Sequence, residues 1–248
     1  SHAAPAIAKT SLAMANEATL VVGASSAIAQ ALIHAQHQRG HRVIAISRRP
    51  ASGQTDWLQC DYSDAQIAHT IHALRELNCH WRRVFICNGV LHDEQAMPEK
   101  RLEDLSSTTL QARFLSNSIL PAMWLQALLP LLRGKTPCTV AVLSARIGSI
   151  ADNRLGGWYS YRASKAALNM LLKTAAIEFS RRAKNIKLIA FHPGTTDSPL
   201  SAPFQHSVAD DALFTPEFVA ERLLSLCDAH APDGQLSYLD WAGKPIAW

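Results

Sequence analysis

Tyr161 and Lys165 stand four residues apart in Trp158-Tyr159-Ser160-Tyr161-Arg162-Ala163-Ser164-Lys165, at the start of a strongly helical stretch. Residues four apart on a helix share a face, so the spacing predicts a phenol beside an ammonium. A free tyrosine titrates at about 10, and a neighbouring cation favours its phenolate, each unit of depression requiring about 1.4 kcal/mol. Such a phenol can protonate a carbonyl oxygen as hydride reaches the carbon, while the ammonium also holds a ribose. Taken alone, Tyr-x-x-x-Lys arises by chance on many helix surfaces. Its weight here comes from following the fifth predicted strand.

A second chemical segment lies near the other end of the chain. Val21-Val22-Gly23-Ala24-Ser25-Ser26-Ala27-Ile28-Ala29 passes from an apolar strand into a helical pattern, a turn that aims free backbone N–H groups and the helix dipole at an anion. Gly23, Ser25, Ser26, Ala27 and Ile28 are therefore candidate pyrophosphate contacts, with Gly23 permitting the tight turn. One βα unit later the second strand ends in Ile46-Ser47-Arg48-Arg49, where a protein selective for NAD would carry a carboxylate for the ribose hydroxyls. Ser47, Arg48 and Arg49 instead offer a hydroxyl and guanidinium groups to a 2′-phosphate, which predicts NADP(H) in preference to NAD(H). Asp61 and Tyr62, just after the third strand, are candidates for the adenine side, although a turn aspartate also explains Asp61.

These residues need a scaffold, and the alternation of apolar runs with amphipathic segments supplies one. Strands are expected at 19–22, 42–46, 57–60, 83–87, 139–143, 187–191 and 236–239, and helices at 27–39, 65–77, 110–132, 159–182 and 216–227. The fold class that follows is α/β, a Rossmann-type doubly wound parallel sheet of about seven strands with helices on both faces. At 248 residues and 48% apolar content, one dinucleotide-binding domain over 17–248 buries a full core. Residues 1–16 read as a tail, partly vector-derived ahead of a native start at Met14. The loops 146–158 and 195–215 follow strand C-terminal ends, where a substrate is expected.

Other functions find little footing. The net charge of +4 comes from scattered Lys and Arg, with no basic run interleaved with aromatics for nucleic acid. No apolar run is expected to span a bilayer, the stretch near Leu128 being broken by Pro130 and closed by Arg133 and Gly134. Five cysteines, odd in number and never in a Cys-x-x-Cys pair, suit a reducing cytoplasm rather than a disulfide framework or a zinc site. His34 with His37 and His69 with His72 lack a third ligand at metal spacing, so no metal is expected. Ser25 and Ser26 lack the Gly-x-Ser-x-Gly elbow of a nucleophile. Trp158, Trp241 and Trp248 suit a pocket wall, a subunit contact or ordinary packing equally.

With its Gly23 turn, its Asp61 after the third strand and its Tyr161/Lys165 pair, the chain resembles the short-chain dehydrogenase/reductase family over nearly its whole length after the tail. More narrowly, Gly148-Ser149-Ile150, the run Gly156 to Asn169 and the ending Gly243-Lys244-Pro245-Ile246-Ala247-Trp248 resemble the C-factor branch, whose members are treated as carbonyl reductase-like and in some cases linked to cell-to-cell signalling. The resemblance implies that Asn117 supports a proton-relay water behind the lysine, and that Pro193, Gly194, Thr195 and Thr196 hold the nicotinamide carboxamide. It also implies a homodimer or homotetramer built on the long helices.

Two departures stand out. The family's active-site serine is usually the second of a Ser-Ser pair, but here the pair is Ser144-Ala145, leaving Ser144 or Ser149 to orient a carbonyl. The loop Cys87-Asn88-Gly89 keeps only part of the family's Asn-Asn-Ala-Gly, with Asn88 and Gly89 as cofactor candidates. Two functions follow as expectations: a carbonyl reductase acting on a small carbonyl or alcohol, or a nucleotide-binding regulatory protein with little catalysis.

Overall fold

The computed structural model describes residues 16–51, 53, 55–88, 97–196 and 213–248. Seven parallel strands form the sheet in the order β3-β2-β1-β4-β5-β6-β9. They are β1 (Glu17–Val22), β2 (Arg42–Ser47), β3 (Asp56–Gln59), β4 (His80–Ile86), β5 (Cys138–Leu143), β6 (Ile186–His192) and β9 (Leu236–Asp240), with β7 (Thr195–Thr196) and β8 (Leu213–Phe214) pairing separately. Chain order reverses between β1 and β4, so a crevice opens there at the strand C-terminal ends, the place where doubly wound sheets bind dinucleotides.

The central strands are apolar on both sides because both faces are covered. One core layer packs Leu20, Val22, Ile44, Val140, Val142 and Leu188 under helices α2 (Asp64–Glu76), α4 (Leu120–Leu132) and α5 (Tyr159–Arg182). The alternate residues Val21, Val43, Phe85, Ala141 and Ile189 pack under α1 (Ala27–Gln38) and α6 (Pro216–Ala229). This period-two split of every strand is what the expected Rossmann-type sheet requires.

The helix expected over 110–132 differs in one respect. It begins earlier, as α3 (Ser107–Phe114), widens into a π turn at Leu115–Ile119 and continues as α4. Pro121 has no N–H to give to the Asn117 carbonyl four residues back, and the turn widens so that the Leu120 amide bonds the Leu115 carbonyl instead. The helix also runs on through Pro130. Taken as one, Ser107–Leu132 is 26 residues with mean hydropathy 1.3, long and apolar enough to cross a membrane by those two measures, contrary to the sequence expectation. Its Trp124, Leu125, Leu128 and Leu132 lie in the core, while its Leu115 and Ile119 are exposed.

Candidate active site

The helix that carries Tyr161 and Lys165 is entered through three consecutive left-handed residues, Gly156, Gly157 and Trp158, at φ 66°, 65° and 56°. Trp158 is the N-cap and gives no side-chain cap. Glu99 supplies it from another segment: its carbonyl accepts the Trp158 N–H, and its carboxylate accepts the Ser160 N–H at 3.3 Å. Glu99 is buried, and sequence reading missed it because the cap comes from about sixty residues away rather than from the preceding turn.

Tyr161 and Lys165 fall one turn apart, with the Lys165 ammonium 5.9 Å from the Tyr161 ring centroid. Lys165 is buried, and its Nζ donates to the Leu143 carbonyl at the end of β5, at 3.1 Å. Burial pushes the Tyr161 phenol up to about 12, with the Tyr238 phenol adding to it and Arg113 opposing it. Burial brings Lys165 down to about 8. The pair is therefore brought together as the spacing predicts, but the expected depression of the phenol is not found. The ammonium is directed to a backbone carbonyl, and desolvation outweighs it. At neutral pH the phenol keeps its proton and the lysine is mostly charged.

Both serines considered for the carbonyl are committed elsewhere. Ser144 is buried and donates to Asn169 Oδ1 at 2.7 Å. Ser149 is buried, donates to the Trp248 carbonyl at 3.2 Å and accepts from the Asp152 amide. A serine has one hydroxyl hydrogen, so neither keeps a donor for a substrate oxygen in this arrangement. Ala145 begins the loop, and its carbonyl accepts the Tyr238 hydroxyl at 2.5 Å. Asn117 lies fully buried in the π turn and donates through Nδ2 to Ser164 Oγ at 3.0 Å, and Ser164 donates in turn to the Tyr161 carbonyl. The asparagine thus touches the helix turn between the tyrosine and the lysine.

Across the crevice, Gly23 takes φ +75°, and a Cβ there would come within 3.1 Å of the Asn88 amide nitrogen and the Cys87 carbonyl carbon. The backbone of β1 can approach β4 this closely only without a side chain. Ser26 caps α1 by accepting the Ala29 N–H at 3.2 Å, while Ala27 and Ile28 sit in the first turn, whose amides have no acceptor within the helix. Ser25, Ala27 and Ile28 are exposed or half-buried at this end. Asn88 is half-buried, and its Oδ1 has no hydrogen-bond partner. An anion-seeking helix end, a Cβ-free cradle and an unspent amide oxygen fit a dinucleotide.

At the end of β2, Arg48 and Arg49 are exposed. The Arg48 guanidinium lies 5.5 Å from the Tyr62 ring centroid, and Tyr62, at φ 67°, is packed edge-on against Trp124. Ser47 is buried, its Oγ accepting the Arg49 amide at 3.1 Å, a bond that uses a lone pair of the hydroxyl and not its proton. Asp61 is exposed and accepts the Ser63 amide at 2.8 Å, and the Ser63 hydroxyl, followed by this amide, holds its carboxyl below the usual range. Pro193, Gly194 and Thr195 follow β6 and are half-buried, and Gly194 at φ +73° faces the Phe214 ring. Thr196 pairs with Phe214 in the small sheet. Gly89 and most of the 195–215 loop lie outside the described residues. A cavity of about 490 Å³ lies at the opposite edge, among Glu17, Gln36, Arg39 and Arg83, and the ion pairs Arg39–Glu221 and Arg83–Asp228 bridge its surroundings.

No disulfide forms among the described cysteines, and no cluster of three metal-ligating side chains occurs among the described residues. A doubly wound sheet, a glycine cradle at its switch point and a Tyr/Lys pair at the mouth define a dinucleotide-linked oxidoreductase. Residues 17–209 match the short chain dehydrogenase family, and the chain belongs to it. It is 29% identical over 237 residues, 92% of this chain and 98% of the relative, to a 1-hydroxy-2-glutathionyl-2-methyl-3-butene dehydrogenase of Rhodococcus sp. (strain AD45). It is 30% identical over 147 residues, 59% of this chain and 83% of the relative, to C-signal of Myxococcus xanthus, in line with the C-factor resemblance. Among solved structures it is similar to an NADPH-bound carbonyl reductase from chicken fatty liver, at TM-score 0.77 and 22% identity, covering 93% of this chain and 98% of the other.

Proposed function

We propose that this protein is an NADPH-dependent carbonyl reductase in which Tyr161 is the general acid. The observation that carries the reading is the protonated phenol of the half-buried Tyr161 one helical turn from the Lys165 cation, beside the end of β5. NADPH, when bound, supplies the hydride that reaches the carbonyl carbon. The first turn of α1 and the Gly23 cradle would hold its pyrophosphate, Arg48 and Arg49 its 2′-phosphate, Asp61 and Tyr62 its adenosine side, and Asn88 and residues 193–196 its nicotinamide side. Lys165 would hold the nicotinamide ribose.

The protein's own work is to deliver a proton and to shield it. Tyr161 gives its phenolic proton to the carbonyl oxygen, which leaves an alcohol, and the adjacent ammonium stabilises the phenolate that remains. Asn117, through Ser164, fixes the turn of helix on which both groups sit. The tyrosine acts without a serine partner in this reading, since Ser144 and Ser149 are both committed and Ala145 has no hydroxyl. The free thiols support a cytoplasmic setting, and the exposed Leu115, Ile119, Met170 and Leu171 support a homodimer or homotetramer through the π turn between α3 and α4 and through α5.

Replacing Tyr161 by Phe tests the reading directly. Carbonyl-dependent NADPH oxidation is expected to fall by about 10²-fold or more, with NADPH affinity within about twofold of the parent. Undiminished turnover in Tyr161→Phe overturns it. One observation favours a second reading, a nucleotide-binding regulatory protein: neither Ser144 nor Ser149 keeps a hydroxyl proton for a substrate oxygen. That reading predicts tight NADPH binding with no oxidation across a panel of aldehydes, ketones and quinones.

A further inference from the structure

Gly156, Gly157 and Trp158 all adopt positive φ. For the glycines this is ordinary, but a bulky aromatic residue in that region is a true outlier, and such residues persist only where their surroundings over-determine them. Here they do. The Arg162 guanidinium donates to the Gly157 carbonyl at 2.8 Å and to the Gly156 carbonyl at 2.9 Å, pinning the loop from the helix side. The Trp158 N–H is taken by the Glu99 carbonyl from the other side, and a Cβ on Gly157 would meet that same carbonyl at 3.5 Å. Two bonds from the helix that follows and one from the distant Glu99 segment therefore fix the backbone that carries the indole.

The fixed indole meets the reacting tyrosine. The rings of Trp158 and Tyr161 lie edge to face, 6.3 Å between centroids and 63° between planes. Trp158 is half-buried, so part of the residue reaches the surface. A carbonyl placed to receive the Tyr161 proton has its substituent next to this indole. An indole offers a broad, polarisable face that favours flat π systems over saturated rings of equal size.

We propose that Trp158 is the aromatic wall of the substrate site and selects a flat, conjugated carbonyl compound, an aryl ketone or aryl diketone, over saturated counterparts. The proposal rests on the reductase reading above for its catalytic readout but has a binding readout of its own. The matched probes are methyl phenyl diketone and methyl cyclohexyl diketone, which differ in flatness far more than in size. With NADPH, the parent protein is expected to favour the phenyl compound in kcat/KM by roughly five- to tenfold, the worth of one aromatic contact. In Trp158→Ala the preference falls to within about twofold of unity, in Trp158→Phe it is largely kept, and in Arg162→Met, which leaves the ring in place but unpins its backbone, it is reduced.

Calorimetric binding of the two diketones to the protein with NADP⁺ present separates the two failures. A phenyl preference in binding that Trp158→Ala removes, without turnover of either compound, retires the reductase reading and leaves the wall standing. Three outcomes overturn the wall: equal use of both probes by the parent protein, the same preference in Trp158→Ala as in the parent, or binding of neither probe.

Discussion

A phenol raised to about 12 and a lysine lowered to about 8 set opposite limits on reduction. Tyr161 keeps its proton throughout the working range, so the acid is never exhausted from the alkaline side. Lys165 loses its charge above about 8, and with it the cation that stabilises the phenolate. The reduction rate kcat/KM is expected to be level towards neutrality and to fall above an apparent pKa of about 8, while Lys165→Arg, charged throughout, moves that limb beyond the measurable range. A profile still level two units higher would remove Lys165 from the reaction. Cofactor choice is also a residue-scale matter. Arg48→Ala is expected to weaken NADPH binding by about tenfold or more, the worth of a charge-assisted pair, and NADH binding by less than about twofold. Equal losses for the two nucleotides would assign Arg48 to the adenine ring rather than the phosphate. What sequence could read at this scale was local: Gly23, Tyr161 and Lys165 sit in short segments whose spacing carries the meaning. The partners that commit Ser144 and Ser149, namely Asn169 and Trp248, and the Glu99 cap come from remote segments, and nothing in the spacing announces them.

Strand β6 carries a lysine with no exposed surface, an element-scale problem that its neighbours solve. Lys187 Nζ donates to Asp233 Oδ1 at 2.8 Å, the Gln235 carbonyl at 3.0 Å and Ser237 Oγ at 2.8 Å, which satisfies all three ammonium hydrogens. The cluster ties β6 to the turn that leads into β9. Lys187→Met fits the same space but leaves those acceptors unpaired, and a loss of roughly 2–3 kcal/mol is expected, below the full value for a buried pair because Asp233 is half exposed. Urea unfolding should show a lower midpoint with an unchanged slope. An unaltered midpoint would mean that water replaces the ammonium at no cost. The elements themselves were legible to within a few residues, because period-two apolar strands and amphipathic helices state their type locally. The π turn was not, although its cause, Pro121 four residues after Asn117, stands in the sequence; a proline inside an apolar helix can kink it, end it or widen it, and packing decides which. The two-residue strands β7 and β8 were missed because two residues carry no periodicity.

Across the whole molecule, the C-terminal edge of the sheet gathers polar groups that an all-apolar interior would not need, and their ionisation couples the site to global stability. His192 ends β6, and its Nδ1 accepts the Arg146 N–H at 3.0 Å, which places the proton of the neutral ring on Nε2. Burial, followed by the nearby Arg146 charge, brings His192 down to about 4, with Asp240 and Asp152 opposing. Protonation at Nδ1 would cost the ring its acceptor and orphan the Arg146 amide. A histidine in the unfolded chain titrates at about 6.5. Between these two values the unfolded chain binds more protons than the folded one, so stability falls as the pH drops through this window and is fully present above it. Carried down to about pH 4.5, that difference amounts to roughly 2 kcal/mol from this one group. His192→Asn keeps a side-chain acceptor for Arg146 and does not titrate, so its stability should match the parent's near neutrality and exceed it by roughly that amount in acid. The measurement is urea unfolding of both proteins at about pH 7 and about pH 4.5, read as the difference between them at each pH so that all other carboxylates and histidines cancel. An acid loss of the same size in both proteins would mean that His192 is already charged in the fold, and that the Arg146 amide, hence the loop leading to Ser149 and Trp158, is held by something other than the neutral imidazole.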